Sequence, residues 1–315
     1  MKLTVLDAAT LGNDLNLQIF ERFGDLTVYS ATNADEIVSH LADADIAIVN
    51  KVKLRADTLA FLPKLKLICL AATGYDNVDL EYCRANGIAV CNVVGYSTQS
   101  VAQVTVAMAL SLITHLEEYA TAVRSGSYTR EGIPNRLTPV YHEIAGKTWG
   151  IVGFGNIGKQ VGTVAKALGC RVLVNKRTAI TDWDCVDLET VCQQSDILSI
   201  HTPLNDSTRN LLDKTHIAML KPNAIVINVA RGAVTDEAAL AKAIEEGRIG
   251  ALGVDVYSTE PMPQNHPFQR ILQKPNVCFT PHMAWGGYET RVRLMEEIAE
   301  NIRCFLVGEK RNRVD

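Results

Sequence analysis

Short apolar, β-branched runs alternate along nearly the whole chain with stretches whose apolar residues recur at helical spacing, and this alternation limits the fold more than any other feature. Residues 2–6, 26–29, 46–49, 67–70 and 88–91 read as strands, with helical periodicity at 15–23 and 34–41 between them. A strand that returns through a helix to a parallel neighbour does so by a right-handed crossover, which predicts a parallel sheet covered by helices on both faces. The pattern restarts at Lys147 and runs through 172–174, 197–200, 224–227, 251–254 and 277–279. An α/β chain of two doubly wound, Rossmann-like domains follows, and 315 residues suffice for two sizeable cores.

Between the two alternating blocks, residues 100–125 read as one long, nearly uncharged helix that must be covered by protein. Residues 126–146 have no clear period and read as a loop or arm. The last periodic segment, 289–307, carries Leu294, Ile298, Ile302 and Phe305 on one face of an amphipathic helix. Thirty-one Lys plus Arg against 35 Asp plus Glu give a net charge of −4, which argues against a nucleic-acid or anionic-membrane partner. The N-terminal segment reaches Asp7 without the apolar core of a signal peptide, so a cytoplasmic location is expected. The eight cysteines form no CxxC pair and read as reduced core thiols; no metal-ligand spacing is present, and no metal is expected.

The sharpest local motif is Gly153-Phe154-Gly155-Asn156-Ile157-Gly158, a GxGxxG entered by an apolar strand and followed by helical periodicity. Its glycines allow a tight turn, close approach of backbone to a pyrophosphate and close helix packing, and the helix N-terminus offers unpaired N–H groups. Dinucleotide binding follows from that context rather than from the glycines alone. Three further segments place titratable side chains just past apolar strands, where ligands of open parallel sheets bind. They are Asn228-Val229-Ala230-Arg231-Gly232, then residues 253–261 with Asp255 and Glu260, then Phe279-Thr280-Pro281-His282-Met283-Ala284-Trp285. Position alone leaves Arg231 as either an anion site or a structural ion-pair partner, His282 as either a catalytic or a merely hydrogen-bonded ring, and Asp255 as either a ligand contact or a cap.

In this order the four segments resemble the D-2-hydroxyacid dehydrogenase family over essentially the whole chain. Within it the similarity is to glycerate dehydrogenases (hydroxypyruvate reductases), through Asn50-Lys51, residues 71–79, Gly95-Tyr96 and 282–285. The resemblance implies a flavodoxin-like substrate domain of residues 1–99 plus 286–315, a dinucleotide-binding domain of 100–285, and an active site in the interdomain cleft. It implies that Arg231 holds the substrate carboxylate and carbonyl oxygen, that His282 is the acid/base and that Glu260 pairs with it. The amides of Thr73 and Gly74 would hold the carboxylate with Lys51 nearby, and Trp285 and Tyr75 would line a fairly small pocket. Cofactor contacts map onto Gly153, Gly155, Asn156, Ile157, Gly158, Thr202, Pro203, Thr208, the backbone near Ala230, and Asp255 for the nicotinamide amide. A proton must reach the oxygen of a 2-oxo acid as hydride reaches C2, and a histidine suits that task near neutral pH.

The expected activity is hydride transfer between a nicotinamide cofactor and a small D-2-hydroxy or 2-oxo acid, hydroxypyruvate or glyoxylate first. The alternatives are a dinucleotide-sensing corepressor, disfavoured because little chain follows the last helix, and a phosphite dehydrogenase. Formate dehydrogenase is disfavoured because that relative pairs its histidine with a glutamine, where this chain has Glu260. NAD-specific relatives end the second strand with an acid that binds the ribose hydroxyls. Here Lys176 and Arg177 stand instead, so NADP is favoured over NAD. The uncharged helix and the arm after it predict a homodimer.

Overall fold

The computed structural model describes residues 1–178 and 180–315 and divides into two compact units, residues 1–97 with 286–315, and residues 98–285. In the first unit five parallel strands, β1 (Lys2–Val5), β2 (Asp25–Val28), β3 (Ile46–Val49), β4 (Leu67–Leu70) and β5 (Ala89–Cys91), lie in the order β2-β1-β3-β4-β5. That is the flavodoxin-like winding, with its reversal at β1 and β3. Strands β3 and β4 are buried along their whole length, as Ile-Ala-Ile-Val and Leu-Ile-Cys-Leu must be when helices cover both faces. The helix Tyr288–Leu306 belongs to this unit and buries Leu294, Met295, Ile298 and Ile302.

The second unit has seven parallel strands: β6 (Thr148–Val152), β7 (Arg171–Asn175), β8 (Asp184–Cys185), β9 (Ile197–Ile200), β10 (Ile225–Asn228), β11 (Ala251–Val254) and β12 (Val277–Phe279). Their order is β12-β11-β10-β9-β6-β7-β8, so the winding reverses between β6 and β9. Alternate strand residues feed two separate cores. Leu173, Leu198, Ile200, Val226 and Leu252 join one, while Val172, Val174, Ile197, Ile225 and Ile227 join the other. All eight cysteines are free thiols, six of them buried; burial pushes those of Cys83 and Cys91 up to about 11 and that of Cys192 up to about 12.

Three expectations need correction, and one short strand was not foreseen. The segment 100–125 is two helices, Thr98–Ile113 and Leu116–Arg124, with axes 67° apart. His115 sits between them in the left-handed region at φ 52°, its Nδ1 held 2.9 Å from the Glu118 carboxylate. The break falls where the uncharged, buried stretch gives way to one carrying Glu117, Glu118 and Arg124, a change of environment that apolar spacing does not register. The arm 126–146 contains a short helix, Ser127–Glu131. Leu17–Phe23 is a 3₁₀ rather than an α-helix, begun by Asn16, whose side chain accepts the Gln18 N–H. The two-residue edge strand β8 was too short to show any period.

Candidate active site

At the carboxyl end of β6 the chain turns through Gly153 at φ 88°, and a Cβ there would lie 2.6 Å from the Thr202 nitrogen. Glycine is therefore what lets the turn after β6 pack backbone to backbone on the turn after β9. The helix that follows, Asn156–Ala167, starts inside the motif with Gly155 as its N-cap. Four other helices of the chain are capped by Asp79, Asp187, Asp213 and Asp236, each accepting an N–H of the first turn. Gly155 gives no such cap, the first turn carries no acid, and a Cβ at Gly155 would meet nothing within 4 Å. The first turn of this helix thus begins without a side-chain cap and beside open space at Gly155, with the positive end of the helix behind it, which suits a pyrophosphate.

The β9 end adds a buried chain of donors. Trp149 Nε1 donates to Ser199 Oγ at 2.9 Å, and that hydroxyl lies 3.0 Å from His201 Nε2. Indole N–H can only donate, so the Ser199 hydroxyl accepts from Trp149 and keeps its own proton and a second lone pair for the His201 ring. The His201 Nδ1 is buried and has no hydrogen-bond partner among the described residues, beside the turn that meets Gly153. Burial pushes the His201 pKa down to about 3, keeping the ring neutral. Thr202 and Pro203 follow directly, and Thr208 Oγ donates to the Pro203 carbonyl at 2.6 Å, closing this loop on itself. The open helix end and the orphaned Nδ1 fit a nicotinamide dinucleotide, which would lie against Gly153 to Gly158 and the turn from His201.

Past β7, Lys176 and Arg177 are exposed and pair with no carboxylate among the described residues. Asn175, just before them, accepts the Gly153 N–H at 3.0 Å, so the basic pair follows directly on a residue held to the glycine turn. Asp184 does not replace the missing acid: it lies 3.6 Å from Arg171 Nε, at the opposite end of β7.

At the end of β10, Asn228 is buried and clips the next turn, accepting the Ala230 N–H and donating to the Arg231 carbonyl, both at 3.0 Å. The Arg231 guanidinium donates to the Ala230 carbonyl at 2.9 Å. At Gly232 a Cβ would lie 2.1 Å from the Ser258 nitrogen, so the Arg231 turn packs directly on the backbone at Tyr257 and Ser258. Past β11, Asp255 is almost wholly buried and accepts from the Thr280 hydroxyl at 2.5 Å and the N–H groups of Met283 and Ala284 at 2.9 Å. Its carboxylate thereby holds the segment that carries His282, whose own N–H donates to the Asp255 carbonyl at 2.8 Å. His282 is at φ 55°, a conformation unusual for a side-chain-bearing residue.

His282 Nδ1 lies 2.6 Å from Glu260 Oε2, and the other Glu260 oxygen accepts the Tyr257 N–H at 3.1 Å. A carboxylate only accepts, so Nδ1 carries the proton and Nε2 is the ring atom left for chemistry. Trp285, next along, packs on the core that contains Ala284.

In the first unit, Lys51 is exposed on a turn after β3. The buried Asp7 carboxylate accepts the N–H groups of Asn50, Lys51 and Val52 at 2.9, 2.5 and 3.1 Å, and the Asn77 amide donates to the carbonyls of Asn50 and Val52. After β4, the Thr73 hydroxyl donates to the Val93 carbonyl, while the N–H groups of Thr73 and Gly74 have no protein acceptor among the described residues. Sequence reasoning missed Asp7, Asn77, Glu237 and His266. Asp7 alone had a signal, an acid directly after an apolar strand; the others reveal themselves only through their partners.

Residues 106–284 match the model of the D-isomer specific 2-hydroxyacid dehydrogenase NAD-binding domain. The chain is 37% identical to the glycerate dehydrogenase of Methylorubrum extorquens over 315 residues, which cover 100% of this chain and 99% of that one. It is 34% identical to the hydroxypyruvate reductase of Blautia hydrogenotrophica over 326 residues, the full length of both. Among solved structures, an acyclic imino acid reductase in complex with NADPH and D-Arg superposes with a TM-score of 0.88 at 29% identity over all of both chains. A D-lactate dehydrogenase from Aquifex aeolicus, complexed with NAD and lactic acid, gives 0.86 at 27% identity, covering 98% of this chain and 96% of that one.

Proposed function

We infer, for a chain that belongs to the D-isomer specific 2-hydroxyacid dehydrogenases and is thus a nicotinamide-dependent oxidoreductase, that its substrate is a short 2-oxo acid, hydroxypyruvate or glyoxylate, reduced with NADPH. The Glu260–His282 pair carries this reading, because its 2.6 Å contact leaves Nε2 as the proton-delivering atom. The dinucleotide, when bound, supplies or accepts the hydride at C2. The rest falls to the protein. Arg231 holds the carboxylate and the carbonyl oxygen by charge-assisted bonds. His282 Nε2 delivers the proton to that oxygen, and Glu260 fixes the orientation of the ring. In the first unit, read as the substrate domain, the Lys51 ammonium and the open N–H groups of Thr73 and Gly74 are donors suited to a carboxylate. Relatives named glycerate dehydrogenase, hydroxypyruvate reductase and glyoxylate reductase support the short-acid class.

The exposed Lys176–Arg177 pair, with no neighbouring acid to repel a 2′-phosphate, supports NADPH over NADH. The acyclic imino acid reductase was solved with NADPH. Following NADPH and NADH oxidation at 340 nm over a panel of 2-oxo acids tests both parts. Hydroxypyruvate or glyoxylate should lead the panel, with NADPH at least about tenfold the more efficient cofactor, the worth of one charge-assisted contact. Replacing Lys176 by Asp and Arg177 by Gln should invert the cofactor order through KM. Equal efficiencies in the unmodified enzyme would show that the basic pair does not read the phosphate.

The assembly we propose is a homodimer through residues 116–141, where Leu116, Val123, Ile133, Leu137, Val140 and Tyr141 are all more than half exposed.

A further inference from the structure

Next to the loop that carries Glu260 lies a second carboxylate–imidazole pair, Glu237 and His266, both buried. Glu237 opens the helix Glu237–Glu245; its Oε2 lies 3.0 Å from His266 Nε2, and its Oε1 accepts the Ser258 N–H at 2.9 Å. His266 Nδ1 accepts the Phe268 N–H, so the ring proton sits on Nε2 and is donated to Glu237. The pair brackets residues 258–266, the loop on which Glu260 rides. Tyr257 stands at the head of that loop and touches three things at once. Its N–H holds Glu260 Oε1, its ring meets the His266 ring edge to face at 5.9 Å, and its hydroxyl donates to the Thr280 carbonyl at 3.0 Å, two residues before His282. Burial, aided by the charges of Asp255 and Glu260, pushes that hydroxyl up to about 12, so it remains a donor across the working pH range.

We infer that Tyr257, backed by the Glu237–His266 pair, is the positioning residue that sets Glu260 and His282 against each other. The two side chains come from loops after different strands; the Tyr257 main-chain N–H holds Glu260 on one loop, and its side chain bonds the other at the Thr280 carbonyl while packing on the buried pair. Asp255 holds the His282 segment from beneath, through the Thr280 hydroxyl and the N–H groups of Met283 and Ala284. The Tyr257 hydroxyl therefore does no chemistry; it removes the freedom of one loop to slide on the other. Sub-ångström drift is enough to lengthen a 2.6 Å contact and turn the imidazole off its line to the substrate oxygen.

This inference rests on the catalytic assignment of His282, and the tests separate the two. In Tyr257→Phe, which keeps the ring, the single-turnover rate of NADPH oxidation should fall roughly five- to tenfold, the size of one lost neutral hydrogen bond, with KM for the 2-oxo acid and cofactor affinity unchanged. Glu237→Gln, whose NH2 must face either the His266 proton or the Ser258 N–H, should fall roughly 10- to 100-fold in the same manner. In a Glu260→Gln background Tyr257→Phe should cost almost nothing more, because the pair it aligns is already broken. Undiminished loss in that background, or loss through KM alone, overturns the inference. If His282→Ala retained turnover, the catalytic assignment would fall instead. The question then passes to NMR of histidine-labelled protein, which needs no substrate: Tyr257→Phe should shift or broaden the His282 Nδ1 proton, and an unchanged resonance overturns the positioning role.

Discussion

His282 shows how much a single residue's backbone costs here. It is held at φ 55° by its own N–H on the Asp255 carbonyl and by the Asp255 carboxylate on the two residues after it, so the strain is borne by the neighbours rather than relieved. His282→Ala should lower turnover on the order of 10²- to 10⁴-fold while cofactor binding, read by fluorescence titration, is largely kept. Arg231→Ala should fail differently, raising KM for the 2-oxo acid as well as lowering turnover; an unchanged KM would move the carboxylate contact elsewhere. His201 bears on stability instead. Its folded pKa of about 3 lies below the ordinary value near 6.5, so between these pH values the unfolded chain binds a proton that the folded chain refuses. The stability from keeping this ring neutral is complete above about pH 6.5 and is lost as pH falls, by up to about 1.4 kcal/mol per pH unit. Chemical denaturation from pH 6.5 to 4.5 should show that slope in the parent and a flatter one in His201→Asn. Equal slopes would mean that the buried ring is not what the acid attacks.

Among the elements, the helix Asn156–Ala167 is the one whose stability and function pull apart. It forgoes the Asp cap used by four other helices, so its first turn has no side-chain cap. Gly155 has φ −83°, allowed to any residue, and open space at its Cβ. Gly155→Asp should therefore fold normally and gain a few tenths of a kcal/mol from the new cap. The same carboxylate would occupy and repel the phosphate position, so NADPH affinity should fall at least about tenfold. A thermal melt together with a cofactor titration checks both halves, and unaltered affinity would place the pyrophosphate away from this helix end. The helix Thr98–Ile113 teaches a related point. One face of it is buried within its own unit, with Val101, Ala102, Met108 and Leu112 in the core beneath the sheet, while Val104, Val106, Leu110 and Ile113 are half-buried and Ala107 is exposed. Its low charge is thus explained in part by the core of its own unit.

For the molecule as a whole, the case for assembly rests on the segment after that helix. Leu137 and Val140 are 73% and 71% exposed, flanked by Ile133 and Tyr141, a density of apolar side chains that a monomer would leave in water. Light scattering at micromolar concentration should give twice 34.4 kDa, and Leu137→Asp with Val140→Asp should return a folded monomer. A parent protein that scatters as one chain would remove the proposal.

The alternation of strand and helix, and with it two parallel α/β units, was legible in the residues because a strand buried on both faces must be apolar throughout, as Ile46–Val49 and Leu67–Leu70 are. The turn after β6 was legible for the same kind of reason: where a Cβ would fall 2.6 Å from the backbone of the neighbouring turn, only glycine fits. Arg231, Glu260 and His282 could be placed past strand ends by spacing, but their order along the chain says nothing about which oxygen meets which nitrogen. That was decided by packing: by Gly232 seated on Tyr257 and Ser258, by Asp255 gathering the His282 segment, and by Glu237 and His266 gripping the Glu260 loop. Asp7 beneath the Lys51 turn is of the same kind, its three N–H partners lying more than forty residues away. Local sequence dictates periodicity and steric allowance because those depend on a residue and its near neighbours. Hydrogen bonds between loops join residues far apart in the chain, and only the closed tertiary structure brings their atoms within 3 Å.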